Sequence, residues 1–272
     1  MVAQTCNPTK CTRSGNITIS IVSHAQSDMV DALLRQLAEL RDPSITRVVV
    51  VHNLPDIDLP KPYHAEFELI QLHNQEPQGF SANHNLAFIH CATPGFAVLN
   101  PDLDLRCGNP FPALLQAAFA DPRLGAVAPT LVQPDTLKAE PNRGVVTPLE
   151  LIRRRLPGWK PPDEPAWLVG AFLLLRTEAF RDIGGFDERF HLYCEDVDLG
   201  LRLRAFGWRI KRVENAKVVH LTQRNSHRHL KHIRWHLFSL FKLWMKIGAQ
   251  GPRRASASES PRRGRNEESK HP

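Results

Sequence analysis

Apolar and polar positions alternate through Ile17-Thr18-Ile19-Ser20-Ile21-Val22-Ser23, a β-branched run that predicts a strand opening into a loop at His24. The period then lengthens. Val30, Leu33, Leu34, Leu37 and Leu40 recur every three or four residues, the spacing of an amphipathic helix. Ile45–Val51 reads as a second, buried strand, Phe67–Leu72 as a third and Phe96–Leu99 as a fourth, with a helix near Ala82–Cys91 before the last. This alternation predicts an α/β fold with a doubly wound, mostly parallel sheet. Ligands of such sheets sit at the carboxyl ends of the strands. Those ends are Ser23-His24, His52-Asn53, His73-Asn74 and Asn100-Pro101-Asp102.

The pattern is less regular further on. Gln133–Pro165 holds seven prolines and the triplet Arg153-Arg154-Arg155, which predicts a long irregular connection, mobile over the site. The apolar run Trp167–Leu175 is too short to span a bilayer. Ala216–Val219 reads as a strand ending at His220. From His227 to Lys246 a helical stripe of Leu230, Ile233, Leu237, Leu240, Phe241 and Trp244 is flanked by Arg228, Lys231, Arg234, Lys242 and Lys246. Such a basic amphipathic helix suits an anionic membrane surface; a terminal helix packing its stripe on the domain has the same pattern. Four regions follow: a disordered head over 1–15, an α/β domain over 16–223, the basic helix over 224–247 and a disordered polar tail over 248–272.

Charge sharpens this division. The 272 residues carry a formal net charge of +7, yet residues 1–223 hold 23 Lys and Arg against 25 Asp and Glu. The basic character therefore belongs to the C-terminal end, and no DNA- or RNA-binding signature accompanies it, so nucleic acid is not an expected partner. Five cysteines without a CxxC pair, behind a polar N-terminus lacking the apolar core of a secretion signal, predict reduced thiols and a cytoplasmic protein.

Three places carry candidate chemistry. Asp102 follows a buried strand, where a carboxylate can hold Mg²⁺ or Mn²⁺ against substrate phosphates, although Asn-Pro-Asp is also ordinary turn chemistry. Asn74 and the loop Gly79-Phe80-Ser81-Ala82-Asn83-His84-Asn85 open a helix whose amides attract anions, or Ser81 simply caps that helix. Neither GxGxxG nor GxxxxGK[ST] is present, which excludes a nicotinamide fingerprint and a P-loop. Asp187, Glu188, Glu195, Asp196 and Asp198 cluster around a helix start. Asp198 suits a pair with Arg202 four residues on, whereas Asp196 lies near a Gly-Gly turn and an aromatic segment, where burial would raise its pKa toward use as a base. His220 becomes a metal ligand only if the fold brings it near Asp102.

Taken together, Ile19-Ser20-Ile21-Val22-Ser23-His24, Gly79–Asn85, Leu99-Asn100-Pro101-Asp102, Gly170–Arg176, Gly184-Gly185-Phe186-Asp187-Glu188 and Glu195-Asp196-Val197-Asp198-Leu199 resemble the GT-A glycosyltransferases of family 2. Within that family they are similar to the branch of bacterial rhamnosyltransferases of cell-surface polysaccharide assembly, over about residues 17–223. The resemblance implies that Asn100-Pro101-Asp102 stands at the Asp-x-Asp motif, with Asn100 in place of the first acid. Asp102 and His220 would hold Mg²⁺ or Mn²⁺. Ser23, Asn53, Asn74, Asn83, Asn100 and Asp102 would bind the nucleotide sugar. Asp196 would be the general base with Glu195 beside it, and Gly170, Ala171, Asp187 and Glu195 would meet the acceptor. His52-Asn53 replaces a frequent Asp-Asn pair, and His24 a frequent Tyr-Asn.

The implied reaction is an inverting transfer from a nucleotide-diphospho-sugar, dTDP-rhamnose or a UDP-sugar, to a hydroxyl of a saccharide or lipid-linked saccharide. The implied place is the inner face of the cytoplasmic membrane, on anionic lipid. Two other classes fit the same residues: a degenerate GT-A protein that binds nucleotide or glycan without turnover, and a membrane-associated interaction protein.

Overall fold

The computed structural model describes residues 16–221 and 230–249, with side chains in the last helix given for 238–247. Four parallel neighbours, β1 (Ile17–Ser23), β2 (Ile45–His52), β3 (Glu68–His73) and β4 (Gly95–Leu99), make one half of a single sheet. Beyond them come β5 (Leu103–Asp104), β6 (Leu124–Val132), β7 (Phe172–Arg176) and β8 (Arg209–His220). The order is β3-β2-β1-β4-β7-β6-β8-β5. β7 is antiparallel to both β4 and β6, β8 is parallel to β6, and β5 closes the edge antiparallel to β8. The mostly parallel α/β sheet expected from the alternation is observed. The reversal at β7 was not legible, because an apolar run carries no direction.

The strand sequences explain the layering. In β1, Ile17, Ile19 and Ile21 enter a cluster with Leu33, Leu34 and Leu37 of α1 (Ser27–Glu39) and Phe111 and Leu114 of α3 (Phe111–Ala120). Thr18 and Ser20 face the opposite side, where they bond Thr93 (2.9 Å) and His84 Nδ1 (2.7 Å). That opposite layer contains α2 (Phe80–Phe88), α5 (Thr177–Asp182) and α6 (Glu195–Ala205), packed on Val49, Val51, Val98 and Leu173. Both polar side chains are fully buried, and each has a partner.

A third cluster joins Val146, Trp167, Phe190 and Val197 to Leu240 and Leu243 of α7 (Leu230–Ala249). Trp244 Nε1 donates to the Val146 carbonyl (2.9 Å), and Ser239 Oγ to that of Leu192 (2.9 Å). Lys242 Nζ donates to the Arg189 carbonyl (2.6 Å), and Lys246 Nζ to Asp187 (2.8 Å) and Asp198. The described part of α7 therefore packs on the domain, and two of its cations point inward. Its phase also differs from the stripe read in the sequence: Leu243 is buried, while Phe241, Phe238 and Met245 face solvent. The inward line runs from Leu240 to Leu243, and Phe241 lies about 100° round the helix from Leu240.

The Gln133–Pro165 strap is mostly irregular, apart from α4 (Pro148–Arg153) and a bridge between Val132 and Ala139. It is tied down by Trp167 Nε1, which donates to the Gly144 carbonyl (3.0 Å), and by Thr147, which caps α4. The head with Cys6 and Cys11, the stretch 222–229, the tail from 250 and the side chains of Leu230, Lys231, Ile233, Arg234 and Leu237 lie outside the described residues. No described helix is long and apolar enough to cross a membrane.

Candidate functional site

At the carboxyl ends of β1, β2 and β4 lies a cleft of about 300 Å³, lined among others by His24, Asn53, Asn83, Asn100, Asp102 and His191. Its floor is an amide network. Asn53 Nδ2 donates to the Gln78 carbonyl (2.9 Å) and to His24 Nδ1 (3.0 Å), while its Oδ1 accepts from Gln78 N (2.7 Å) and Asn74 Nδ2 (2.8 Å). Asn74 also donates to Asn83 Oδ1 (2.7 Å). Asn74 and Ser23 stand behind the lining residues, and Ser23 Oγ accepts from Gln26 N (3.2 Å) to fix the β1 loop. Beneath the cleft, burial depresses His84 to about 3, so it stays neutral as it anchors α2 to Ser20.

The edge of the sheet builds a second corner. Pairing of β5 with β8 sets Leu103 opposite His220, which leaves His220 Nε2 3.5 Å from Asp102 Oδ2. On its other side, His220 Nδ1 is 3.8 Å from Glu140 Oε1, contributed by the strap. Burial acts to lower the His220 pKa, but the flanking carboxylates of Asp102 and Glu140 together outweigh it and raise the pKa to about 9. Glu140 is held below the usual carboxylate range, by His220 first and by Arg143 at 2.9 Å as well. Asp102 Oδ1 is buried without a hydrogen-bond partner. Once His220 releases its proton, the orphaned Asp102 oxygen and the imidazole beside it make a donor set that fits Mn²⁺ or Mg²⁺.

A third corner begins α6. Tyr193 and Cys194 both adopt left-handed φ, 70° and 68°, a tight elbow that costs about 1–3 kcal/mol per residue. It presents Glu195 and Asp196 at the first turn of the helix. Asp196 Oδ2 accepts from Gly170 N (3.1 Å), and its Oδ1 from Val197 N (2.8 Å). The residue after Gly170 reaches the other way: the Ala171 carbonyl accepts from Asn100 N (2.8 Å). Glu195 is buried with Oε2 unpartnered. Burial pushes both carboxyls upward, and the charge of Asp196 adds to the rise at Glu195.

The remaining acids of the cluster are paired. Asp198 accepts from Arg202 (2.6 Å) and Lys246, and Asp187 from Arg189 (2.6 Å) and Lys246 (2.8 Å). Arg189 first, with help from Lys246, holds Asp187 well below the usual carboxylate range. Asp187, read as an acceptor-side residue, thus sits in a latch between α7 and the loop before α6.

That loop is stapled to α2. Ser81 lies inside the helix, and its Oγ donates to the Phe190 carbonyl (3.0 Å). Asn85 accepts from Phe186 N and donates to its carbonyl, both at 2.9 Å. A Cβ at Gly79 would come within 2.7 Å of the His191 carbonyl, so this approach requires glycine. The staple brings His191 and Leu192 into the cleft beside Gln78 and Phe80. Sequence reasoning assigned none of these four a binding role. Gln78 borders the Gly79–Asn85 block, Phe80 lies inside it, and His191 and Leu192 fall between the Gly184–Glu188 and Glu195–Leu199 blocks.

Residues 158–248, which include the Gly170, Asp196 and His220 corners, match the family described as glycosyl transferase family group 2. That third of the chain resembles a family 2 glycosyltransferase domain. It is 38% identical over 143 residues to the N-acetylglucosaminyl-diphospho-decaprenol L-rhamnosyltransferase of Mycobacterium tuberculosis, a match covering 45% of each chain. Over 77 residues it is 38% identical to rhamnosyltransferase WbbL of Escherichia coli K12, covering 28% of this chain and 29% of that one. The matches thus span less than half the length of these curated relatives. The fold is that of the mannosyltransferase PcManGT from Pyrobaculum calidifontis, solved with GDP-Man and Mn²⁺. The two agree with a TM-score of 0.61 at 17% identity, over 85% of this chain and 64% of that one. The chain therefore has the GT-A-like fold that its motif blocks implied.

Proposed function

We propose that the family 2 domain is an inverting glycosyltransferase. It moves a sugar from a nucleotide-diphospho-sugar to a hydroxyl of a saccharide or lipid-linked saccharide in cell-surface polysaccharide synthesis. One observation carries this reading. Two consecutive residues, Gly170 and Ala171, tie Asp196 to Asn100, two residues before Asp102 and its neighbour His220, so a base and an ion-binding corner share one frame.

In the transfer, the acceptor hydroxyl gives its proton to Asp196 as its oxygen attacks the anomeric carbon. The bond from that carbon to the diphosphate oxygen breaks on the opposite face, and the nucleoside diphosphate leaves with the electron pair. Asp102 and His220 would hold Mn²⁺ or Mg²⁺, whose charge neutralises the leaving diphosphate. The amides of Gly170 and Val197 orient the Asp196 carboxylate and leave it lone pairs for the incoming proton. The names of the rhamnosyltransferase relatives favour a rhamnosyl donor such as dTDP-rhamnose and a lipid-linked saccharide as acceptor.

Asp196→Asn is expected to lower transfer by about a hundredfold or more while nucleoside diphosphate still raises the melting temperature. Normal turnover by that variant removes Asp196 as the base, and loss confined to Glu195→Gln moves the role to its neighbour. Asp102→Asn is expected to weaken the Mn²⁺-dependent stabilisation by nucleotide. An unchanged metal-dependent shift overturns the ligand assignment.

A further inference from the structure

The strap borders an open cavity of about 580 Å³ that shares no lining residue with the donor cleft. Its wall combines Val145, Leu156, Pro157 and Trp159 with two exposed cations, Arg153 and Lys160. Glu150 also lines it, but its Oε1 accepts from Trp159 Nε1 (3.1 Å) and faces Arg154 Nε (3.4 Å), so the acid is neutralised within the strap. Leu149 and Ile152 turn outward from α4 at 64% and 58% exposure, and Leu156 follows at 57%. Large aliphatic side chains left in water beside cations are costly unless something amphiphilic covers them. Arg155, also exposed, adds to the positive edge.

The cavity adjoins the catalytic frame. Gly144, in its wall, accepts from Trp167, and three residues after Trp167 the Gly170 amide holds Asp196. Trp167 also packs against Gly200 in α6, where a Cβ would come within 3.0 Å of the Trp167 Cβ.

We propose that this cavity seats the phosphate-linked lipid of the acceptor, a site separate from the donor cleft. Arg153 and Lys160 take the phosphate head, and Val145, Leu156 and Trp159, continued by Leu149 and Ile152, take the first segment of hydrocarbon. The saccharide joined to that phosphate then extends toward Asp196. The assignment rests on the reading of the domain as a transferase with a lipid-linked acceptor.

The probe is farnesyl diphosphate, added to the full chain without divalent ions so that the donor corner does not compete, and followed by calorimetry. Saturable binding is expected, weakened about tenfold or more by Arg153→Glu with Lys160→Glu, and similarly by Leu156→Asp. Inorganic pyrophosphate and farnesol are each expected to bind about tenfold more weakly than the joined molecule. Unchanged affinity in the charge-reversed variant overturns the site, and equal binding of pyrophosphate reduces it to a free-anion site and overturns the lipid assignment. Mn²⁺-dependent nucleotide binding is measured on the same samples. Its retention shows that the variants are folded and separates failure of the strap site from failure of the transferase reading. A diazirine farnesyl diphosphate cross-linked to the unaltered chain is expected to label residues 144–162, and labelling confined to other segments overturns the proposal.

Discussion

Glu195 and Asp196 are neighbours in sequence, and the elbow at Tyr193 and Cys194 sets both in the first turn of a helix, Glu195 buried and Asp196 half-buried. The helix start favours negative charge, but burial opposes it, and burial prevails because both carboxyls are shifted upward. The stability consequence has a definite sign. Between the ordinary carboxylate range and the raised range, the folded chain holds protons that the unfolded chain has released. Stability from the pair is therefore complete at low pH and falls as pH rises through the raised range. Glu195→Gln, which keeps the shape and removes the charge, is expected to raise the melting temperature more at pH 8 than at pH 5. An equal rise at both values contradicts the burial argument. The acid limb of the transfer rate should accordingly lie above the range of a solvated aspartate, since the base must be ionised. Asp196 and Asp102 were legible in the sequence because each stands in a motif block. His220 was legible only conditionally, since its meaning depends on the β5–β8 pairing. Glu140 gave no signal at all, being an acid in a proline-rich connection whose contact with His220 exists only in three dimensions.

Among the elements, α7 shows what spacing does and does not determine. A period of 3.6 announces a helix, but its phase is set by the surface it meets, here Val146, Trp167 and Phe190, so Leu243 rather than Phe241 is buried. The same surface turns Lys246 into a bridge between Asp187 and Asp198, whose side chains are only 11% and 2% exposed. Lys246→Ala is expected to destabilise the domain by roughly 1–3 kcal/mol, with Asp198 still held by Arg202. The urea midpoint checks this, and an unchanged midpoint would reduce the bridge to a surface pair. β6 illustrates the opposite difficulty. It is buried at all nine positions yet contains Gly125 and Pro129, residues that local rules place outside central strands. The register with β8 shifts at Pro129/Thr130, so the proline sits at an irregularity where its missing donor is tolerated.

For the molecule as a whole, α7 covers the third cluster much as α1 and α3 cover one face of the sheet. Truncation after Leu221 would expose Trp167, Phe190 and Val197 and forfeit the burial of Leu240 and Leu243, each contributing about 1.5–3 kcal/mol. The truncated chain is expected to unfold at clearly lower urea than the full chain, and equal midpoints would show the helix to be dispensable to the fold. The pairing of β5 with β8 has a consequence in time. Asp102 precedes His220 by on the order of a hundred residues, so their encounter must wait for a long loop to close. A chain leaving the ribosome exposes its aspartate well before the histidine exists. An ion that needs both partners therefore recognises only the finished sheet. It would lengthen the life of the native state by slowing unfolding and leave the rate of reaching that state largely unchanged.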